Sequence, residues 1–316
     1  MTDKAFDVVV IGELNVDLIL SGDVTPEFGQ IEKLIAGADL ALGSSSAIFA
    51  CGAARLGLRV AFIGKTGDDE FGRVVLRELG ARGVDTSGVV VDPHIQTGLS
   101  VILSRGSDRA ILTYPGSIPA LRYTEINPVL VARARHLHLG SYFLLDALRP
   151  DIPTLFDVAH SLGLSVSLDT NYDPAEKWDG GLNDSLARAN VFLPNETELR
   201  AITRQAGAEA ALYSLADLIP TVAVKLGAQG AIGQQGARIA RADALPVAVV
   251  DTTGAGDSFD AGFVYGYLAG WELARALRFA CVCGALSTRA AGGTAAQATL
   301  KEALQAMYRH SDNVSG

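Results

Sequence analysis

One stretch constrains this chain more than any other. From Leu245 it reads L-P-V-A-V-V-D-T-T-G-A-G-D-S-F-D-A-G-F-V-Y-G-Y. The β-branched run Leu245 to Val250 predicts a strand, and Phe259, Phe263 and Tyr267 recur at a spacing that puts them on one face of a helix. A strand must therefore turn sharply into a helix between them. Gly254 and Gly256 lack a Cβ, so the backbone can turn tightly and an anion can approach it. The first amides of a helix have no intrahelical acceptor and carry the positive end of its dipole, which makes such a turn an anion site. Asp257 runs against that logic, because a carboxylate repels phosphate. It is either a helix-capping residue or a group with a task, such as taking a proton from an attacking hydroxyl.

With 49% hydrophobic and 19% charged residues in 316, the chain can bury a large core, enough for one large α/β domain or two modest ones. The formal net charge of -9 argues against a nucleic-acid partner. The start, Met1 to Asp7, lacks the basic and apolar regions of a signal peptide, and no apolar run approaches the roughly 20 residues needed to cross a bilayer, so no membrane association and a cytoplasmic location are expected. Cys51, Cys281 and Cys283 are odd in number and lie in apolar, alanine-rich stretches, which reads as buried thiols rather than disulfides or a zinc clip.

Elsewhere the polar residues gather at the ends of apolar runs. Phe6 to Ile11 reads as a buried first strand, and beyond it alternation places Asn15 and Asp17 on one side of an extended segment. The segment to about Leu40 lacks helical periodicity and reads as a β-structured flap. Gly43 and the serines 44–46 open a helix ending near Gly57, Arg59 to Gly64 reads as a strand, and Asp68, Asp69 and Glu70 suit the first turn of the next helix better than a metal. Residues 97–103 and 109–114 are β-rich and are joined by a hairpin-like connection, Ser104 to Asp108. From about Tyr123 helices alternate with strands at Arg135 to Leu139, Ser165 to Leu168, Asn190 to Leu193 and Thr221 to Val224, the pattern of a doubly wound α/β sheet. Polar residues follow these strands where ligands collect in such sheets: Asp169 and Asn171, then Asn195 and Glu198, then Lys225 and Gly227. His136 and His138 share a strand face and read as hydrogen-bonded core histidines, with no third metal ligand nearby. The tail from His310 is expected to be loose.

The thirteen residues Asp251 to Phe263 resemble the C-terminal signature of the ribokinase-like (PfkB) carbohydrate kinases, D-T-x-G-A-G-D-x-F-x-x-G-F, and fill it at each position. That resemblance implies a single domain over residues 1–316: a doubly wound, mainly parallel sheet flanked by helices, with a small β-sheet lid from about 14–41 and 95–115. It further implies an ATP-dependent transfer to a hydroxymethyl group of a sugar or sugar-like molecule. Asp257 would be the base, with the Gly254, Ala255 and Gly256 amides as the anion hole. Asn15, Asp17, Gly43 and Ser44 would hold the acceptor, and Arg105 or Arg109 could meet an acidic group on it. Asn195, Glu198, Lys225, Gly227, Gly230 and Thr252 would lie along ATP, with Glu198 reaching Mg²⁺ through water. Asp251 and Thr253 match a segment that holds a monovalent cation such as K⁺ in some members.

The chain departs from the pattern at Ile48, where the family has an acceptor-binding Asn, and at Asp173, where the 2-keto-3-deoxygluconate kinase and fructokinase branch has an Arg. Two other readings stay open: a nucleoside kinase, with Ile48 and Phe49 flanking a base, and a sugar or nucleotide sensor without turnover. Edge strands of a small sheet often pair with a twin, so a homodimer through the lid is expected.

Overall fold

The computed structural model describes residues 4–105 and 108–314, the last five by backbone alone. Its strands are β1 (Phe6–Ile11), β2 (Asn15–Ser21), β3 (Gly37–Leu42), β4 (Val60–Gly67), β5 (Asp85–Asp92), β6 (Gly98–Arg105), β7 (Asp108–Tyr114), β8 (Ala134–Leu139), β9 (Ser165–Leu168), β10 (Val191–Phe192), β11 (Thr221–Lys225), β12 (Ala231–Gln235) and β13 (Arg238–Ala242). The α-helices are α1 (Ser45–Arg55), α2 (Glu70–Ala81), α3 (Pro128–Ala132), α4 (Ile152–Ser161), α5 (Leu182–Leu186), α6 (Glu196–Thr203), α7 (Ala208–Leu215), α8 (Ala255–Leu268), α9 (Leu273–Ser287) and α10 (Leu300–Val314).

Nine strands form one sheet in the order β13-β12-β11-β10-β9-β8-β1-β4-β5, and four form a smaller sheet, β3-β2-β6-β7. The large sheet is parallel from β11 to β5; only β12 and β13 run against their neighbours. The apolar run of β1 follows from having helices on both faces. Successive side chains point to opposite sides, so Val8 and Val10 enter the core shared with α1, α8 and α9, while Val9 and Ile11 enter the core shared with α4 and α7. In the small sheet β2 lies parallel to β6, and Arg105 pairs with Asp108 at the end of the β6/β7 hairpin, whose turn residues Gly106 and Ser107 lie outside the described set.

Two expectations fail. Leu245 to Val250 form no strand; α8 is reached from β13 through an irregular crossing segment on which Val249 and Val250 are 60% and 64% exposed. Leu245, Pro246, Val247 and Val249 wall a cleft instead, and an apolar run alone does not distinguish that from a sheet. The chain beyond His310 also continues as helix, α10 running to Val314.

Candidate active site

Glu13 and Asn15 follow β1, Asp169 follows β9, Asn195 follows β10 and Lys225 ends β11, so the parallel sheet delivers them to one edge. Against that edge stands the N-terminus of α8. Gly254 precedes the helix at φ 73°, a left-handed conformation that costs a residue with a Cβ about 1–2 kcal/mol. A Cβ there would also stand 2.7 Å from the Gly293 Cα. The amide of Ala255 donates to the Thr252 carbonyl at 3.2 Å, whereas those of Gly254, Gly256 and Asp257 have no acceptor among the described residues. The open donors are therefore Gly254, Gly256 and Asp257. Ala255, expected in the anion hole, is occupied in closing the turn.

Asp257 is 9% exposed. Burial pushes its carboxyl well above the usual range; Asp169 and Glu13 add to the shift, and the Lys225 ammonium and the Ser45 hydroxyl oppose it. Ser45 is the first residue of α1, and α1 enters beside the second polar group. Asn15 Nδ2 donates to Asp17 Oδ1 at 2.9 Å, and both side chains are buried. A Cβ on Gly43 would fall 2.3 Å from Asp17 Oδ1 and 2.5 Å from Asn15 Nδ2, so only glycine lets this pair occupy its place. Burial lifts the Asp17 carboxyl to about 6, against the Asn15 hydrogen bond and the Arg109 charge.

Of the two hairpin arginines, Arg109 faces these groups. Its Nη1 donates to Thr253 Oγ1 at 2.7 Å and lies 3.9 Å from Asp251 Oδ1. Arg105 is exposed at the hairpin end, with Asp23 in its electrostatic reach. Asp251 also accepts from the Thr253 amide and hydroxyl and from the Gly292 amide. With its oxygens so engaged and a guanidinium already alongside, the Asp251 and Thr253 pair does not fit a monovalent cation.

A cleft of about 510 Å³ opens on the other side of the turn, walled by Gly227, Gly230, Leu245, Val247, Thr252 and Ala285 among others. Apolar walls with a few backbone polar groups suit a flat heterocycle. Asn195 and Glu198 form a complete capping box: Asn195 Oδ1 accepts from the Glu198 amide and Glu198 Oε2 from the Asn195 amide, each at 2.9 Å. Asn195 Nδ2 adds a bond to Oε1 at 2.6 Å. Burial and then Asp169 raise Glu198 to about 7. Its carboxylate points inward, yet two of about four acceptor positions remain open, so it fits a water-borne divalent cation.

The remaining groups find structural uses. His136 bonds Ser165 and Ser167, His138 bonds Ser167, and burial lowers both to about 3, so they are neutral core residues. Asp69 caps α2 and holds the Thr97 amide and hydroxyl. The three cysteines are free and buried. Asp173 accepts from the amides of Ala175, Lys177 and Trp178 at 2.7–2.9 Å, so this residue organises a loop where the related branch has a cation. Ile48 packs on Gly254 and Gly293, and Phe49 stacks on His138 with ring centroids 3.6 Å apart; neither is free to flank a base.

Missed from the sequence was Asp260. It sits three residues after Asp257 on α8, is 1% exposed, and holds Lys225 Nζ at 2.9 Å. Its position among apolar helix residues was the available signal, since a buried carboxylate there requires a cation.

Comparison with known proteins gives the family and the fold. Residues 5–300 match the pfkB family carbohydrate kinase. An uncharacterized sugar kinase of Archaeoglobus fulgidus is 35% identical over 227 residues, 70% of this chain and 88% of its own. An ATP-dependent ribose-1-phosphate kinase of Halopiger xanaduensis is 32% identical over 292 residues, 92% of this chain and 94% of its own. Among solved structures, an E. coli protein assigned as ribokinase II, in complex with ATP and Mg²⁺, superposes with a TM-score of 0.85 at 26% identity, covering 96% of this chain and all of that one. The chain belongs to the pfkB family of carbohydrate kinases, and it has the ribokinase-like fold. It is a carbohydrate kinase.

Proposed function

We propose that the chain transfers the γ-phosphoryl group of ATP to a hydroxymethyl group of a sugar or sugar-like acceptor, with Asp257 as general base. The observation that carries this reading is the turn itself. Three unpaired amides and a buried carboxylate share one helix N-terminus, with the apolar cleft on one side and the Asn15 and Asp17 pair on the other. Asn15 and Asp17 hold vicinal hydroxyls of the acceptor. The lid, made of the small sheet, closes over it and brings Arg109 to the turn. ATP lies along Gly227, Gly230 and Thr252 with its base in the cleft, and its γ-phosphate meets the free amides. Asp257 takes the hydroxyl proton as the oxygen attacks phosphorus in line, and the amides stabilise the charge on the transferred oxygens. Glu198 would hold Mg²⁺ through water; the ion, when bound, neutralises phosphate charge.

The raised Asp257 makes the base form a function of pH, so activity is expected to fall as the medium is acidified. ATP consumption across ribose, fructose, ribose 1-phosphate, keto-deoxy sugar acids and nucleosides tests the reading; turnover with none of them would overturn it in favour of a sensor. The packing of Ile48 and Phe49 removes the feature that had suggested a nucleoside. We also propose that two copies pair through the lid, supported by Ile111, Leu112 and Tyr114 exposed on its edge strand β7; sedimentation as a monomer at working concentration would refute that pairing.

A further inference from the structure

Lys225 ends β11, and its stem lines the apolar cleft, but its ammonium turns away from that cleft into the protein. Nζ lies 2.9 Å and 3.1 Å from the two oxygens of Asp260 and 3.3 Å from Asp169 Oδ2, with the side chain 12% exposed. Asp169, Asp257 and Asp260 offer carboxylate oxygens that all lie within 4.8 Å of one another. The ammonium already stands against two of the three. A Cβ on Gly256 would lie 3.7 Å from Nζ, so the charge is lodged beside the open amides of the α8 turn. Asp260 follows Asp257 by three residues and shares its helix face.

We infer that Lys225 is a positioning residue of phosphoryl transfer: tied to Asp169 beyond β9 and to Asp260 on α8, it fastens the first turn of α8 to the strand ends and provides a fixed positive charge that favours the carboxylate form of Asp257. This inference rests on the reading of Asp257 as base. Its physical ground is the crowding of buried acids. Asp257 is faced by Glu13 after β1, Asp169 after β9, Asp260 on its own helix, and Lys225; Glu198 on α6 adds to the field at Lys225, and His138 on β8 to that at Asp169. Burial works to strip the Lys225 proton, but Asp169, Asp260 and Glu198 outweigh it and raise its proton affinity, so the cation is permanent. Several acids around one ammonium cannot lose that ammonium without one of them taking up a proton. Asp257 has an oxygen within 4.8 Å of those of Asp169 and Asp260, so it belongs to that cluster, and a protonated base is no base.

The test uses the full-length chain. Lys225→Met keeps the length of the stem and removes the charge. The kcat at saturating ATP is expected to fall about 10- to 100-fold, since small displacements of reacting groups cost rates of that order. The acidic limb of its pH profile is expected to move up by about one unit or more, because an opposite charge at short range holds a carboxyl down by that much. ATP affinity by calorimetry should change little. Lys225→Met with wild-type kcat and an unmoved limb, or with its loss confined to the KM for ATP, would overturn the inference and leave Lys225 a nucleotide contact. Asp260→Asn, which has the same shape, carries the test should Lys225→Met fail to melt cooperatively: a fall in kcat with the KM for ATP unchanged supports the inference, and an unchanged kcat sinks it. Failure of the base reading is visible separately, as activity retained by Asp257→Asn in the otherwise native chain.

Discussion

Helices α1 and α8 begin alike and end up with different purposes. Each is entered through a left-handed residue, Ser44 at φ 70° and Gly254 at φ 73°. At α1 the Ser44 hydroxyl accepts from the Ala47 amide at 2.9 Å and donates to the Glu13 carbonyl at 2.6 Å, so that helix start is closed by its own side chain. At α8 the corresponding residue has no side chain and the amides stay open. A capped N-terminus stabilises the fold. An uncapped one in a buried site leaves donors unpaired at a cost, and it is tolerated where a ligand supplies the acceptor.

That contrast can be broken at either helix. The largest effect is expected at the open end: Asp257→Asn should lower kcat by about 10² to 10⁴ while ATP still binds, measured by coupled assay and calorimetry, because the donors remain and only the base is gone. Next comes Asp17, which lies beside the Gly43 that leads into α1. Its carboxyl is lifted from 3.8 to about 6 chiefly by burial, so between those values the folded chain keeps a proton that the unfolded chain releases. The stability contributed by that proton is full below pH 3.8 and lost as pH rises through about 6. Asp17→Asn should therefore raise melting stability at pH 7.5 by up to about 3 kcal/mol, with the gain vanishing towards pH 4, while acceptor KM rises. Gly254→Ala puts a Cβ into the left-handed turn against Gly293 and should cost at least about 1–2 kcal/mol of stability together with activity. The smallest effect belongs to the closed end: Ser44→Ala should cost about 1 kcal/mol by denaturant melt, as loss of a cap does.

Much of this site was readable from local rules, because its parts lie close together along the chain. Gly254, Gly256 and Asp257 fall within four residues, Asn15 and Asp17 within three, and the capping box of Asn195 and Glu198 within four; spacing and turn chemistry settle such neighbours. Parallel strands with buried runs on both faces were equally legible, as β1 and β8 show. What escaped depended on partners far away in sequence. Leu245 to Val250 looked like a strand because a cleft wall and a buried strand are both apolar. Ile48 and Phe49 looked available to a ligand until Gly254, Gly293 and His138 were found against them. The choice of Arg109 over Arg105 was set by which hairpin arginine reaches Thr253, 144 residues away.

The sequence by itself determined the sharp turn at Gly254 and the acid one helical turn inside it, since glycine conformation and orphan amides are properties of a few adjacent residues. Only the tertiary structure decided how that acid is charged. The carboxylates around it come from α8 and from the ends of β1 and β9, and their counter-ion from the end of β11. Electrostatic energy inside a protein depends on distance and burial, and neither exists until the sheet has formed.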